Sequence, residues 1–236
     1  IYVYYYEYGG DTTNYHEDSC ALMRLLFQSS ADFFNAWLMP LSPRTSTYFT
    51  NETGYPMYVK DSNAFMVVRL LVPIQLLSFG SYLISSILMG VVSFTGVWKL
   101  YDVFCDYYPT LYKYFAFTVL FLPSVLFWGS GILKDSWTLA AAGWYTYSFY
   151  RIFIKGNRIF FSILTLFISI FILVTIKPYI FVGLLPGSLL WLIWARLSKI
   201  KSTFIKIIVA PIIIVFGLGL GGGIWMLTSS SLGKYS

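Results

Sequence analysis

The chain has 236 residues, 58% of them hydrophobic, 21% aromatic and only 11% charged, with a mean hydropathy of +0.70. That balance excludes an ordinary soluble domain and reads as an all-α integral membrane protein. The formal net charge of +6 does not point to nucleic acid, because the basic residues cluster in loops between apolar runs, the pattern that orients membrane proteins.

The chain opens on IYVYYYEYGG, an aromatic run that reads as the outer end of a helix begun earlier in a longer protein. Asp11–Gln28 has an apolar stripe of Ala21, Leu22, Leu25 and Leu26 at helical spacing, which predicts an amphipathic helix capped by Asp11 or Thr12. Ala31–Leu38, with Phe33, Phe34, Trp37 and Leu38, is too short to span and suits a helix lying in the membrane interface. Pro40 to Asp61 is polar and reads as a loop. Met66–Phe79 is short for a span and contains Arg69, Pro73 and Gln75; it predicts a second interfacial or re-entrant helix with Arg69 reaching headgroups or a cavity.

Six spans are expected after it: Tyr82–Trp98, Tyr114–Leu133, Ser136–Ile154, Ile159–Ile176, Pro178–Ala195 and Ile207–Thr228. The last holds Gly217 to Gly223, read as a close-packing segment. The organisation is then an outer region with interfacial helices over 1–81, a transmembrane bundle over 82–228 and a short outer tail over 229–236. In the stretch FLPSVLFWGSGILKDSW, Pro123 and Gly129-Ser130-Gly131 loosen a helix just before the charged pair Lys134-Asp135. Such breaks are tolerated where protein or a wet cavity receives the freed backbone groups.

Loop charges set the orientation. Arg151, Lys155 and Arg158 in one loop and Arg196, Lys199, Lys201 and Lys206 in another belong on the cytoplasmic side. Lys134-Asp135 and the whole of 1–81 then lie outside, and Cys20 and Cys105 lie on opposite sides. His16, the sole histidine, has no metal-binding neighbours by spacing and reads as a hydrogen-bonding residue.

Two polar clusters thus share the outer side, GGDTTNYHED at 9–18 and GSGILKD at 129–135. A carboxylate beside a membrane-level lysine suits a lipid phosphate: Lys134 holds the charge and Asp11 acts as general base on an incoming hydroxyl. Asp18, Asp135 and Lys177 are further candidates for binding the substrate. The same residues also admit a plainer reading, with Asp11 as a helix N-cap and Lys134 as an interfacial charge.

The acidic residue in an outer loop that carries interfacial helices resembles the GT-C superfamily of membrane glycosyltransferases, which take polyprenyl-phosphate-linked donors. YYYEYGGDTTNYHEDSCALMRLL, FLPSVLFWGSGILKDSW and TIKPYIFVGLLP carry the resemblance. It implies transfer of a sugar or related group to an acceptor outside the cytoplasmic membrane, with Asp11 catalytic and Lys134 and Asp135 at the substrate. The implied partners are membrane lipid, the polyprenyl-phosphate donor and other membrane subunits. No metal or cofactor is indicated. The alternative function is a non-catalytic subunit of a larger membrane complex.

Overall fold

The computed structural model describes residues 10–157 and 159–197. Among these the secondary structure is entirely helical. The expected span Ile207–Thr228, its glycines and the tail at 229–236 lie outside the described residues, as do 1–9. The chain divides into two compact units, Ile1–Gly143 and Trp144–Ser236.

In the first unit, α1 (Asp11–Gln28) follows Gly10, whose φ of 131° suits glycine alone and whose carbonyl accepts from Thr13 and Asn14 N–H. Gly10 is therefore the cap, and neither Asp11 nor Thr12 caps the helix. Ser29 serves two helices. Its N–H closes α1 on the Leu25 carbonyl at 2.8 Å, and its hydroxyl accepts from Asp32 N–H to start α2 (Ser30–Leu38). Two 3-10 turns follow, Thr45–Tyr48 and Met57–Lys60. They break what composition alone reads as one continuous loop.

Helix α3 (Ser62–Ser78) is capped by Asp61, whose Oδ1 accepts from Asn63 and Ala64 N–H at 3.0 and 3.1 Å. It packs chiefly against α1. Tyr15, Leu22 and Leu25 of α1 and Phe65, Val68, Leu71 and Val72 of α3 are all buried, and each such side chain stabilises the unit by roughly 1.5–3 kcal/mol. Arg69 closes the end of α2. Its guanidinium donates to the Ala36 carbonyl at 2.8 and 3.0 Å and also to the Met39 carbonyl, while Trp37 Nε1 donates to the Arg69 carbonyl at 2.9 Å. The C-terminus of α2 leaves carbonyls without helical partners, and Arg69 satisfies them.

Helix α4 (Tyr82–Tyr107) has 26 residues, roughly 39 Å of rise against a hydrocarbon core of about 30 Å. Its buried face is small or polar at several positions (Ser85, Ser93, Gly96), and its exposed face is apolar (Leu83, Ile87, Val91, Phe94). That is the inverse of a helix in water and suits packing within a bilayer. At Gly96 it meets the backbone of Ala140, and Gly143 in turn meets the backbone of Gly96.

The expected span Tyr114–Leu133 is not one straight helix. A run from Pro109 to Leu120, comprising a 3-10 turn, α5 (Tyr112–Phe115) and a π turn, is separated from α6 (Pro123–Gly129) by a bend of 51°. Pro123 lacks an N–H and its ring clashes with the preceding turn, so the helix restarts with proline in its first turn. Past α6, Ser136 Oγ lies 2.9 Å from the Trp128 carbonyl and 2.6 Å from that of Gly131. Ser136 thus receives carbonyls left open where α6 ends.

Helix α7 (Lys134–Phe149) continues as a π turn over Tyr150–Lys155, ended by Gly156 at φ 71°. The second unit adds α8 (Ile159–Ile176) and α9 (Pro178–Leu197). Trp191 stacks on Tyr150 and Phe149 there, and Tyr145 meets Phe181 edge-on.

Among the described residues, α4, α8 and α9 are long and apolar enough to cross a membrane, and the bent pair makes a fourth if taken as one span. Neither Ser136–Ile154 nor α3 is in that set: α7 has 16 residues and α3 has 17.

Candidate functional site

The polar residues of α1 fall into two groups that sequence spacing does not separate. Asp11 and Tyr15, four residues apart, meet the turn Met57–Lys60. The Tyr58 hydroxyl donates to Asp11 Oδ1 at 2.8 Å, and the Tyr15 and Tyr58 rings stack with centroids 4.7 Å apart. Burial, with the Asp11 charge beside it, pushes the Tyr58 phenol up to about 12. It therefore stays protonated and keeps donating. Tyr15, 1% exposed, is raised further, first by burial and then by interactions with Tyr58 and with the charges of Asp11, Asp61 and Asp135. Asp11 itself remains exposed.

Lys134 joins this cluster through Asp61. Its Nζ lies 3.4 Å from Asp61 Oδ2, the oxygen that Asp61 does not use to cap α3. One carboxylate thereby caps α3 and pairs with the first residue of α7. Asp11 and Lys134, from segments more than a hundred residues apart, belong to one network through Tyr58 and the Asp61 that follows its turn. Two cavities of this unit, of about 110 and 390 Å³, are lined by neither of them.

Asp18 is not open to a substrate. It is 3% exposed, and its two oxygens accept from Met57 and Tyr58 N–H, each at 2.8 Å. Burial raises its carboxyl against the pull of these two bonds. Its role is to hold the turn that presents Tyr58 to Asp11. Asp135 sits in the first turn of α7, where a carboxylate is favoured by the helix dipole. Lys177 lies between α8 and α9 in the second unit, its N–H bonded to the Leu173 carbonyl at 2.9 Å.

The second group is fully internal. Gln75, 0% exposed, directs its amide nitrogen to His16 Nδ1 at 3.0 Å and to Ser19 Oγ at 2.8 Å. Its amide oxygen accepts from Ser85 Oγ at 2.8 Å and Ser78 Oγ at 3.3 Å. The Ser19 hydroxyl donates to the His16 carbonyl at 2.9 Å, so its oxygen is free to accept from Gln75. With Nδ1 accepting, His16 carries its proton on Nε2, which faces Cys20 Sγ at 3.7 Å. This network joins α1, α3 and α4. Burial, then the Arg24 charge, lowers the tendency of His16 to protonate.

Sequence spacing suggested neither Tyr58 nor Asp61 as a site residue. Tyr58 sits in a stretch that reads as loop, and only Asp61-Ser62 ahead of an apolar run could have indicated a capping carboxylate. Among the described residues no group of His, Cys, Asp and Glu side chains is arranged to hold a metal ion. No protein-family model matches the chain, and no curated protein or solved structure is significantly similar to it.

Proposed function

We propose that the protein transfers a sugar or related group from a polyprenyl-phosphate carrier to a hydroxyl acceptor on the outer side of the cytoplasmic membrane, with residues 1–81 facing that side. The observation that carries the reading is Asp11: its carboxylate is exposed, is not spent on capping, and is oriented by a phenol that stays protonated. In the step envisaged, Asp11 takes the acceptor hydroxyl's proton as that oxygen attacks the anomeric carbon. The bond from that carbon to the carrier phosphate breaks, and the phosphate leaves with the electron pair. Lys134, exchanging its Asp61 partner for the departing phosphate, stabilises the charge that develops there. Asp135, at the start of the same helix, stands beside that exchange.

The full chain in phospholipid vesicles, supplied with a polyprenyl-phosphate hexose and a hydroxyl acceptor, tests the reading. Asp11→Asn is expected to lower transfer by about 10²–10⁴-fold, the range for loss of a general base, while donor binding is retained. Lys134→Ala is expected to weaken both binding and transfer. Wild-type turnover by Asp11→Asn would remove the proposal. The pairing of Lys134 with Asp61 favours a second reading, a structural subunit of a membrane complex. That reading gains if neither variant changes transfer and both change co-purifying membrane proteins.

A further inference from the structure

The loop between α2 and α3 carries an open surface pocket of about 390 Å³ lined by Leu41, Ser42, Pro43, Ser46, Val59 and Lys60. That volume lies within the ~300–1,000 Å³ of pockets that take small organic ligands. Its wall is divided chemically. Leu41, Pro43 and Val59 supply apolar surface, and Lys60 supplies the charged residue. Ser42 Oγ lies 3.5 Å from Thr45 Oγ1, a long contact that leaves its proton able to turn to an incoming oxygen. Ser46 Oγ donates to the Pro43 carbonyl at 2.9 Å and keeps its lone pairs.

Lys60 is the charged residue in the lining. Among the described residues, neither Lys60 nor Arg44, next to Pro43 in the chain, has a carboxylate within ion-pair distance. Asp61, next to Lys60 in the chain, caps α3 and pairs with Lys134. Both chain segments that build the pocket also carry exposed apolar side chains two residues ahead of their lining residues. Met39, 58% exposed, precedes Leu41, and Met57, 69% exposed, precedes Val59.

We propose that this pocket seats the headgroup of an anionic membrane phospholipid, with Lys60 on the phosphate, Ser42 donating to a phosphate oxygen, and Leu41, Pro43 and Val59 against the start of the acyl chains. A cation, a donor and apolar lining from Leu41, Pro43 and Val59 match a molecule that is charged at one end and apolar at the other. Free phosphate would use only the first two. The pocket shares the turn Met57–Lys60 with the Asp11 cluster, but Asp11, Tyr58, Asp61 and Lys134 do not line it, and the inference does not depend on transfer activity.

The full chain, purified in detergent, is titrated separately with short-chain phosphatidylglycerol, short-chain phosphatidylcholine and inorganic phosphate. Retained lipid is read by native mass spectrometry and stability by the thermal midpoint. Phosphatidylglycerol is expected to be retained and to raise the midpoint. Lys60→Glu, on an exposed residue that no core contact requires, is expected to weaken that retention about fivefold or more, as for losing one basic group at a lipid surface. Lys113→Glu, a charge reversal elsewhere on the first unit, is expected to leave it unchanged. Equal loss in both variants, equal retention of phosphatidylcholine, or the same midpoint shift with inorganic phosphate would each overturn the proposal.

Discussion

At the scale of single residues, His16 shows how a polar group becomes structural. Its Nδ1 can accept from Gln75 only while unprotonated, and Gln75 is held in that orientation by Ser19 on one side and Ser85 on the other. Protonation would set a ring N–H against an amide N–H. Arg24, the positive charge that acts on the ring, opposes it further; Cys20 and the Tyr82 ring, edge-on at 5.4 Å, bring no countercharge. Because the folded ring resists protonation more than the unfolded one, the unfolded state takes up the proton first as pH falls. Stability is therefore complete above about pH 6.5, the ordinary histidine value, and declines below it. Thermal midpoints measured from pH 8 to 5 are expected to fall in the acid half. In His16→Gln, which keeps an acceptor for Gln75 without a titrating ring, the fall should be shallower. An identical profile would show that His16 does not govern the acid loss.

Among elements, the crossing of α4 with α7 sets the tightest requirement. A Cβ at Gly96 would strike the carbonyl oxygen, carbonyl carbon and Cα of Ala140, backbone atoms that cannot swing aside. Alanine at position 96 would gain up to about 1 kcal/mol of helix propensity, but forcing apart a packed contact costs about 1–3 kcal/mol. The steric term wins, and Gly96→Ala is expected to lower the detergent thermal midpoint. Gly90, on the same helix, is the contrast: a Cβ there would come no closer than 3.9 Å, to Ser130 Cα. Gly90→Ala should be neutral or stabilising. If the two variants behaved alike, the close crossing would not be a determinant of stability.

For the whole molecule, the proposed orientation makes α4 the segment that separates the outer region from the cytoplasm. Cys20 is a poor reporter, since it is 5% exposed and packed beside His16. Cys105, near the far end of α4, is partly exposed. With Cys20 replaced by alanine and exposed Asn51 by cysteine, a membrane-impermeant maleimide on intact cells is expected to label position 51. Cys105 should react only after permeabilisation. Labelling of both from outside would reverse the assignment of 1–81.

What the sequence by itself determined is the helical class and the strongest apolar helices. Ile159–Ile176 has the same limits in the structure as in its hydropathy, because an uninterrupted apolar run bounded by Lys177-Pro178 is a local signal. The break at Pro123 was equally local in cause, although its 51° bend was not. The tertiary structure alone decided which polar residues work together. Asp18 finds its N–H donors 39 and 40 residues away, His16 meets Gln75 at a separation of 59, and Asp61 meets Lys134 at 73. No periodicity records such pairs, because a side chain three ångströms from its partner is placed by the path of every helix between them. An aspartate's type is compatible with capping, holding a turn or facing solvent. Asp61, Asp18 and Asp11 do these three different things because packing, which sequence spacing does not encode, sets what each carboxylate meets.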